Sequence, residues 1–363
     1  MINRNKLIKP LISFVFFTLS IELSFMAHAE NFTQETHLAE KLTGEIEDFW
    51  QTGVFSSFQG VDNKRVNFAA FINNEQAPCL VIAPGRSESY LKYKELIFDL
   101  AKQPANIFII DHRGQGLSER LLTNPHKGYV RDFDDYADDL QYFIDNTVKT
   151  MCPAQDKPLL LAHSMGGAIA IRLMQKSPDT IKAALLSSPM IAINNGGLPI
   201  WLARSLIHSG EFINSLMSKQ SWYFIAQGDY QPSDFDNNQL MQSAIRFKAA
   251  NDLYQKQPEL RLGGVTTHWL QQAITAEEKI FTELENITAP IMVIQASADT
   301  VVDLQAQSDF CDKLFQQNKN QCAQGKPINI KGARHELFFE KDEFRNQALT
   351  IVSQWLEQYH PQG

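Results

Sequence analysis

The chain has 363 residues, of which 44% are hydrophobic and 20% are charged, and its formal net charge is −8. This composition is typical of a globular protein with one large core, or with a core and an inserted subdomain. The acidic balance and the lack of a basic patch in the sequence argue against nucleic acid as a partner. They also argue against electrostatic attraction to anionic membrane surfaces.

The amino-terminal residues 1–29 have the pattern of an export signal. Three basic residues within the first nine precede an apolar run at residues 11–19, and Ala27 and Ala29 are the small residues that a signal peptidase requires. The run is too short to span a bilayer as a helix, and Glu22 interrupts the apolar stretch. We therefore predict an exported, periplasmic protein that begins at Glu30, with 30 basic and 40 acidic residues and a net charge of −10. The alternative is an uncleaved amino terminus that anchors the protein to the inner membrane.

Four cysteines fit an exported protein with up to two disulfides. Cys311 and Cys322 lie eleven residues apart across a polar stretch, and this is the favoured bridge. Cys79 and Cys152 each come just before a predicted central strand and could face one another, and buried free thiols are the alternative. None of the four has the spacing of a zinc site, so we predict no metal and no cofactor.

From residue 30 onwards, short apolar runs alternate with helical patterns, which is typical of an α/β protein with a mainly parallel sheet flanked by helices. The predicted strands are Cys79–Ala83, residues 107–111, Leu159–His163, Ala183–Ser187, residues 291–295 and Ile328–Ile330. Helices are predicted at residues 133–148 and at Asp342–Tyr359.

Residues 191–286 interrupt this alternation, because the segment has helical and loop signals but no run that resembles a strand. A helical insertion between two strands predicts a lid over the carboxyl ends of the sheet, where open α/β sheets bind their ligands. The predicted organisation is a core formed by residues 30–190 and 287–363, with a lid at residues 191–286.

Residues 159–168 predict a strand, a sharp turn and the start of a helix, with Ser164 at the turn. This arrangement exposes a serine hydroxyl as a nucleophile and requires small residues beside it. Ala162 takes the place of the more usual glycine, and Gly166 keeps the helix close to the strand. The N–H of Met165, at the start of the helix, is a candidate oxyanion donor.

A serine nucleophile needs a histidine to take its proton and an acid to orient that histidine. Asp299 follows the strand predicted at residues 291–295, and it is the favoured acid. Asp303 is the alternative, but its place at the start of the next helix favours a helix-capping role.

His335 follows the strand predicted at Ile328–Ile330 and is the favoured base. His163 adjoins the serine, but strand alternation points neighbouring side chains to opposite faces, which predicts a packed residue. His208 and His268 lie in the predicted lid and do not follow a strand.

The second oxyanion donor is predicted in the loop after Cys79–Ala83, where Gly85 lets the backbone approach a substrate and the Arg86 N–H points inward. The Arg86 side chain has two interpretations, an ion pair with Glu88 or contact with a substrate phosphate. The glycine-rich residues 111–118 lack the ending of a phosphate-binding loop and predict a structural turn.

Several of these segments resemble the monoacylglycerol-lipase branch of the α/β-hydrolases, and most of all its bacterial, inner-membrane-associated lysophospholipases. The likeness is carried by residues 84–90, 110–116, 161–168, 301–303 and 330–336, and in the predicted lid by residues 261–264 and 267–269. The resemblance implies the α/β-hydrolase fold and hydrolysis of the carboxyl ester of a single-acyl lipid. It implies Ser164, Asp299 and His335 as the catalytic triad, and Arg86 and Met165 as the oxyanion donors. The acid position of that family also accepts glutamate, and the export signal is a departure from it.

The predicted partner is therefore a single-acyl lipid, a lysophospholipid or a monoacylglycerol, with transient contact to a membrane surface. The alternatives are an esterase for small esters, a proline-type aminopeptidase and a non-catalytic binding protein. An aminopeptidase would need an acidic anchor for a free amine in the lid, for which the candidates are Glu211, Asp229, Asp234 and Asp236. The sequence carries no indication of oligomeric state.

Overall fold

A computed structural model describes residues 32–154, 156–194, 197, 199–319 and 321–359. The predicted signal at residues 1–29 lies outside the described residues. Within them, eight strands form one sheet in the order β1-β2-β4-β3-β5-β6-β7-β8. The strands are β1 (Val54–Gln59), β2 (Arg65–Phe71), β3 (Cys79–Ala83), β4 (Asn106–Ile110), β5 (Leu159–His163), β6 (Ala183–Ser187), β7 (Ile291–Ala296) and β8 (Ile328–Ile330).

All six predicted strands are confirmed, and only β4 and β7 differ from their predicted bounds, by one residue. Strands β3 to β8 run parallel to one another, and β4 pairs with β2 in the antiparallel sense. The sequence did not predict β1 and β2, which form an antiparallel pair and extend the sheet beyond β4. The mainly parallel α/β architecture is therefore confirmed, with an antiparallel edge.

Helices connect the strands and cover both faces of the sheet. They are α1 (Glu35–Thr43), α2 (Glu45–Trp50), α3 (Lys94–Leu100), α4 (Asp134–Phe143), α5 (Met165–Lys176), α6 (Ile200–Met217), α7 (Ala244–Lys256), α8 (Thr267–Thr282), α9 (Leu304–Gln317) and α10 (Asp342–Tyr359). The helix predicted at residues 133–148 is α4 continued by a π-helical turn at Ile144–Val148, and the predicted last helix is confirmed as α10.

The alternation of side chains along the buried strands creates two hydrophobic clusters, one on each face of the sheet. In β3, Leu80 and Ile82 pack into the cluster that includes α3 and α10, whereas Val81 packs into the cluster of α4, α5 and α8. Every residue of β3 to β6 is buried because both faces are covered. This explains why these strands appear in the sequence as continuous apolar runs.

The segment between β6 and β7 contains α6, α7 and α8 and, among its described residues, no strand. Helix α8 packs against α5 of the core and against α6, while α7 contacts α1. The boundaries of a separate lid at residues 191–286 stay a prediction. No helix in the described part of the chain is long and apolar enough to cross a bilayer.

Both cysteine pairs form disulfides. Cys79, in β3, is bonded to Cys152, with their Cα atoms 6.1 Å apart, and Cys311 is bonded to Cys322, with a Cα separation of 5.3 Å. The favoured Cys311–Cys322 bridge and the facing of Cys79 and Cys152 are confirmed. The alternative of buried free thiols is wrong, because the four cysteines pair with one another.

Candidate active site

Ser164 lies at the turn between β5 and α5, with a φ of 52° and a ψ of −117°. A residue other than glycine in this conformation is strained, and the surrounding packing must hold it there. A Cβ atom added at Gly166 would lie 2.1 Å from the carbonyl oxygen of Ala83, so only glycine lets α5 approach β3 this closely. Ala162 is accommodated within the core. The strand, sharp turn and helix predicted from the sequence are therefore present.

Three predicted site residues form one chain of hydrogen bonds. His335 Nδ1 lies 2.6 Å from Asp299 Oδ2, and His335 Nε2 lies 2.8 Å from Ser164 Oγ. A carboxylate has no proton to donate, so Nδ1 carries the proton of the imidazole and donates it to Asp299. Nε2 is then an acceptor and faces the serine hydroxyl. All three residues are buried, and this arrangement can remove a proton from the serine.

The two acidic candidates have different contacts. Asp299, in the loop after β7, accepts hydrogen bonds on Oδ1 from the N–H groups of Val301 and Val302, which leaves Oδ2 directed to the histidine. Asp303 caps α9, because its Oδ1 accepts from the N–H groups of Gln305 and Ala306 at 2.8 and 3.1 Å. Of the two carboxylates, the structure therefore brings only Asp299 to His335, and its catalytic role stays a prediction.

His163 lies beside the chain of hydrogen bonds without taking part in it. Its ring centroid is 5.0 Å from that of His335, and its Nδ1 is 3.2 Å from the carbonyl oxygen of Ser187. Burial lowers the pKa of His163 to about 4, so the ring is neutral at physiological pH. This agrees with the packed role predicted for it, although the ring lies closer to His335 than strand alternation suggested.

The polar groups of the β6–β7 segment have partners of their own. His268 contacts Glu211 Oε1 at 3.0 Å and the carbonyl oxygen of Arg131 at 2.9 Å, and Glu211 also accepts a hydrogen bond from Thr267. His208 Nδ1 lies 3.4 Å from the Gln271 amide. Neither histidine contacts Ser164.

The remaining acidic candidates for an amine anchor are exposed. Asp229 accepts hydrogen bonds from Asn124 and Tyr223, and Asp234 and Asp236 lie at a short turn before α7. Among the residues described, no group of three His, Cys, Asp or Glu side chains is arranged to hold a metal ion.

The loop that carries the backbone of Arg86 is fixed on both sides. The Gly85 N–H donates to Glu88 Oε2 at 2.6 Å, and the Ser87 N–H donates to Gln115 Oε1 at 3.1 Å. The Gln115 amide donates in turn to the Gly85 carbonyl at 2.7 Å. Met165 is the first residue of α5, so its N–H has no acceptor within the helix. The predicted oxyanion donors thus lie in a braced loop and at a helix start, and their catalytic role stays a prediction.

The Arg86 side chain does not pair with Glu88, and this interpretation of the sequence was wrong. Its Nη2 donates to the carbonyl oxygen of Gly263, and its guanidinium carbon lies 5.6 Å from the Trp269 ring. Glu88 turns the other way and accepts from the Tyr93 hydroxyl at 2.6 Å as well as from Gly85.

A buried ionic cluster that the sequence analysis missed lies beside this loop. Lys92 Nζ is 2.7 Å from a carboxylate oxygen of Glu88 and 2.7 Å from one of Glu336, and it lies over the Phe339 ring. Burial alone would raise the pKa of Glu88, but the charge of Lys92 and the hydrogen bonds from Lys92 and Tyr93 outweigh it and lower this pKa. For Glu336 burial prevails and the pKa is raised.

This cluster joins the Gly85–Glu88 loop to the loop of His335. One half of it was visible in the sequence, because Glu88 and Lys92 are four residues apart. The other half was not, because Glu336 is 244 residues from Lys92.

The turn at residues 111–118 has the structural role that was predicted. The Asp111 carboxylate accepts from the Leu117 N–H at 2.7 Å and from the Ser89 hydroxyl at 2.9 Å, and also from the Tyr90 N–H. Arg113 is paired with Asp139 at 2.6 Å. These buried side chains provide hydrogen-bond partners for backbone groups of the loop and hold the turn in place.

Comparison with known proteins identifies the family and the fold of the chain. The pattern of the Hydrolase_4 family, described as serine aminopeptidase, S33, matches residues 74–342. Lysophospholipase L2 of Escherichia coli (strain K12) is 36% identical over 332 residues, which cover 91% of this chain and 96% of that protein. Monoglyceride lipase of Rattus norvegicus is 26% identical over 280 residues, covering 76% of this chain and 81% of the lipase.

A solved structure of a soluble variant of monoglyceride lipase from Saccharomyces cerevisiae, in complex with a substrate analog, has a TM-score of 0.66. Its sequence is 16% identical, and the match covers 85% of this chain and 95% of that chain, so this likeness concerns the fold. The chain therefore belongs to the Hydrolase_4 family and has the α/β-hydrolase fold.

Proposed function

We propose that this protein hydrolyses the carboxyl ester of a single-acyl lipid, a lysophospholipid or a monoacylglycerol, through an acyl-enzyme on Ser164. The observation that carries the proposal is the hydrogen-bonded series Asp299–His335–Ser164, with distances of 2.6 and 2.8 Å, in loops that follow β7, β8 and β5. This is the order and geometry of a serine hydrolase.

In the proposed mechanism, His335 Nε2 takes the proton of Ser164 as the serine oxygen attacks the acyl carbonyl. The N–H groups of Arg86 and Met165 stabilise the negative charge that develops on the carbonyl oxygen. His335 then donates its proton to the departing glycerol oxygen, and Asp299 stabilises the imidazolium in between. Water activated by His335 finally attacks the acyl-enzyme, which releases the fatty acid and restores Ser164.

The relatives support a lipid ester as the substrate. The relative from Escherichia coli is named as a lysophospholipase and the rat relative as a monoglyceride lipase. Both substrate classes contain one acyl ester on a glycerol carbon, so a single mechanism accounts for both. The family description as a serine aminopeptidase makes aminoacyl amides the class to test against.

We propose further that the segment between β6 and β7 is a lid and that α6 contacts the lipid surface. The outward face of α6 carries large apolar side chains, including Trp201, Phe212, Leu216 and Met217, which are 67%, 65%, 71% and 72% exposed. Leu206 and Ile213 extend the same face. An apolar helical face of this size is costly in water and is suited to insertion at a membrane interface.

The charged residues of α6 do not interrupt this face. Arg204 forms ion pairs with Glu277 and Glu278 of α8, and Glu211 is bonded to Thr267 and His268. These contacts turn both charges toward α8 and leave apolar residues and serines on the outward side. The net charge is acidic, so we expect contact with membranes to depend on apolar insertion rather than on anionic lipid.

We also propose that the protein is exported and acts in the periplasm. The export pattern at residues 1–29 motivates this, and the two disulfides support it, because disulfides persist in oxidising compartments. Fractionation of the producing cells, with amino-terminal sequencing of the product, tests this directly. Recovery of an intact amino terminus in the cytoplasm would contradict it.

The experiment that tests the proposed activity is a hydrolysis panel of lysophospholipids, monoacylglycerols, diacyl lipids and aminoacyl amides, run with the wild type and with Ser164→Ala. We expect release of fatty acid from the two single-acyl classes, and a loss of several orders of magnitude in the variant. A fluorophosphonate probe should label the wild type and not Ser164→Ala. Preference for aminoacyl amides, or equal activity of the variant, would contradict the proposal.

A further inference from the structure

The guanidinium of the partly buried Arg86 has different partners from those of the fully buried arginines in the described chain. Each of the fully buried arginines pairs with at least one carboxylate: Arg113 with Asp139, Arg172 with Asp134, Arg246 with Glu95 and Arg345 with Asp99. No carboxylate pairs with Arg86 among the residues that the structure describes. Its Nη2 donates to a carbonyl oxygen, and its Nε is buried without a hydrogen-bond partner.

This cation keeps its charge. Burial lowers the pKa of Arg86 to about 10, so the guanidinium remains protonated at neutral pH. A partly desolvated cation without a counter-ion is unfavourable, and arginine is well suited to planar, charge-assisted binding of phosphate. The side chain is therefore complementary to an anion that is supplied from outside the chain.

Space for such an anion exists beside Arg86. The residue lines an open cleft of about 620 Å³ together with residues 226–231 and 262–264 of the β6–β7 segment. Glycines keep the surroundings of the guanidinium open. A Cβ atom at Gly128 would lie 2.9 Å from Arg86 Nη2, and one at Gly264 would lie 2.6 Å from Gln227.

The charges of the cleft limit what it can bind. Apart from Arg86, the lining contains one charged side chain, the exposed Asp229. A ligand with only negative charge is repelled by Asp229, and a ligand with only positive charge is repelled by Arg86. A zwitterion that carries a phosphate and an ammonium group is complementary to both.

We propose that this cleft binds the zwitterionic head group of a single-acyl phospholipid, with Arg86 at the phosphate and Asp229 on the side of the ammonium. The assignment rests on the proposed lysophospholipid hydrolysis and deepens it. Arg86 joins the cleft to the reaction centre, because its backbone N–H is the proposed oxyanion donor and its side chain lines the cleft. In a lysophospholipid the glycerol carbons separate the ester from the phosphate, and the arginine side chain spans a comparable number of bonds.

The test compares two substrates of equal acyl length, lysophosphatidylethanolamine and monoacylglycerol, in the wild type and in Arg86→Met. We expect the ratio of their kcat/KM values to fall roughly tenfold to a hundredfold in the variant, as for loss of a charge-assisted contact. Damage to the oxyanion loop would lower both activities together, so the ratio isolates the role of the side chain. Arg86→Lys, which retains the charge but not the planar fork, should lose less.

Arg65→Met is the matched control, because it removes the same charge from an exposed position in β2. Arg65 donates to the Asn67 side chain and to the Leu117 carbonyl oxygen and does not line the cleft. Its substrate ratio should stay within about twofold of the wild type, since a distant charge is largely screened by solvent. Asp229→Asn should lower the preference for lysophosphatidylethanolamine over lysophosphatidylglycerol by a factor of roughly two to five, as expected for an exposed charge.

The outcomes separate this inference from the proposed function. If neither single-acyl class is hydrolysed by the wild type, the proposed function fails. If both are hydrolysed and the ratio is the same in Arg86→Met, only the head-group site is overturned. Inorganic phosphate distinguishes a lipid head group from phosphate in general. Inhibition of monoacylglycerol hydrolysis by millimolar phosphate in the wild type, but not in Arg86→Met, would assign the site to any phosphate ligand.

Discussion

The loops at the carboxyl ends of the strands differ from helix α6 in the chemistry and the burial of their side chains. The strand-end loops are buried and tied by charged groups, such as Lys92 between Glu88 and Glu336. Helix α6 instead presents apolar side chains such as Phe212 and Leu216 to solvent. The difference fits the role that we propose for each region. Loops that align reacting atoms need directional interactions, which hydrogen bonds and ion pairs supply. A surface that contacts lipid needs apolar area, because the hydrophobic effect is not directional.

The comparison also separates two kinds of energetic cost. In the loops, buried ions are expensive unless each partner is present, so the loss of one partner damages the whole cluster. On α6 the unfavourable free energy comes from the exposure of apolar side chains to water, and contact with lipid would remove that exposure. Substitutions in the strand-end loops should therefore lower kcat or the free energy of unfolding, whereas substitutions on α6 should lower the hydrolysis of lipid in vesicles.

The largest effect is expected from Asp299→Asn, which removes the acceptor of the His335 Nδ1 proton. The histidine would then lose its orientation and its correct tautomer, and kcat should fall roughly 10⁴-fold, as for other serine hydrolases that lose this acid. Steady-state kinetics on a soluble ester measures this. Asp303→Asn is the control, since Asp303 caps α9 and asparagine caps helices about as well, so both stability and kcat should change little. The reverse order of effects on kcat would make Asp303 the acid.

The second prediction concerns the buried ionic cluster. Lys92→Met leaves the carboxylates of Glu88 and Glu336 close together without their cation, and the free energy of unfolding should fall by about 3–5 kcal/mol. Urea denaturation at pH 7 measures the loss. Lys248→Met removes an exposed lysine that pairs with Asp252, and it should cost no more than about 1 kcal/mol. Equal losses in the two variants would mean that the cluster adds nothing to stability.

The third prediction concerns the apolar face of α6. The double variant Phe212→Glu/Leu216→Glu should lower hydrolysis of lipid in vesicles, relative to hydrolysis of a soluble short-chain ester, by about tenfold to thirtyfold. This assumes that insertion buries about half of each side chain, worth about 1 kcal/mol per residue. Val54→Glu/Ile72→Glu places the same charges on exposed apolar positions of the core and serves as the control. A similar fall in the control would assign the effect to charge alone.

The smallest effect is expected where two core helices meet α8 of the β6–β7 segment. Asp134 of α4 binds Arg172 of α5 at 2.9 Å and Lys279 of α8 at 2.7 Å. Burial would raise its pKa, but the hydrogen bonds and charges of these two partners prevail and lower the pKa to about 2.

Because the pKa of Asp134 is lower in the folded state, its contribution to stability is present above the ordinary pKa near 4 and is lost as the pH falls through about 2. With allowance for partial exposure, Asp134→Asn should cost about 1 kcal/mol at pH 7 and about half as much at pH 3. Urea denaturation at the two pH values measures the difference. A cost that does not change with pH would show that the carboxylate charge is not responsible.

The central strands could be predicted from the sequence because their burial is uniform. Strands β3, β5 and β6 are covered on both faces, so their composition alone marks them as strands. Strand β1 was missed because most of its side chains are exposed, and it is held by backbone pairing with β2. Backbone hydrogen bonds do not depend on the identity of the side chains, so they cannot be predicted from a pattern of residue types.

The same distinction applies to the candidate site. Ser164, Asp299 and His335 could be predicted because strand ends and local turn chemistry mark them. The partners of Arg86 could not be predicted, because its contact with Gly263 crosses 177 residues of sequence and its nearest acid in sequence, Glu88, is already bound to Lys92. Such contacts between distant segments depend on how the β6–β7 segment packs, and local sequence patterns do not reveal that packing.

The disulfide between Cys79 and Cys152 has a consequence for how the protein survives damage. It closes a covalent ring with a sequence separation of 73 residues, and the ring contains Arg86, Asp111 and all of β4. A protease that cuts once inside the ring opens a peptide bond but releases no fragment, because the disulfide still joins the two ends. In a compartment rich in proteases, the loop that carries the proposed oxyanion donor therefore stays tethered to β3 after a single cut, and only a reductant or a second cut can free it.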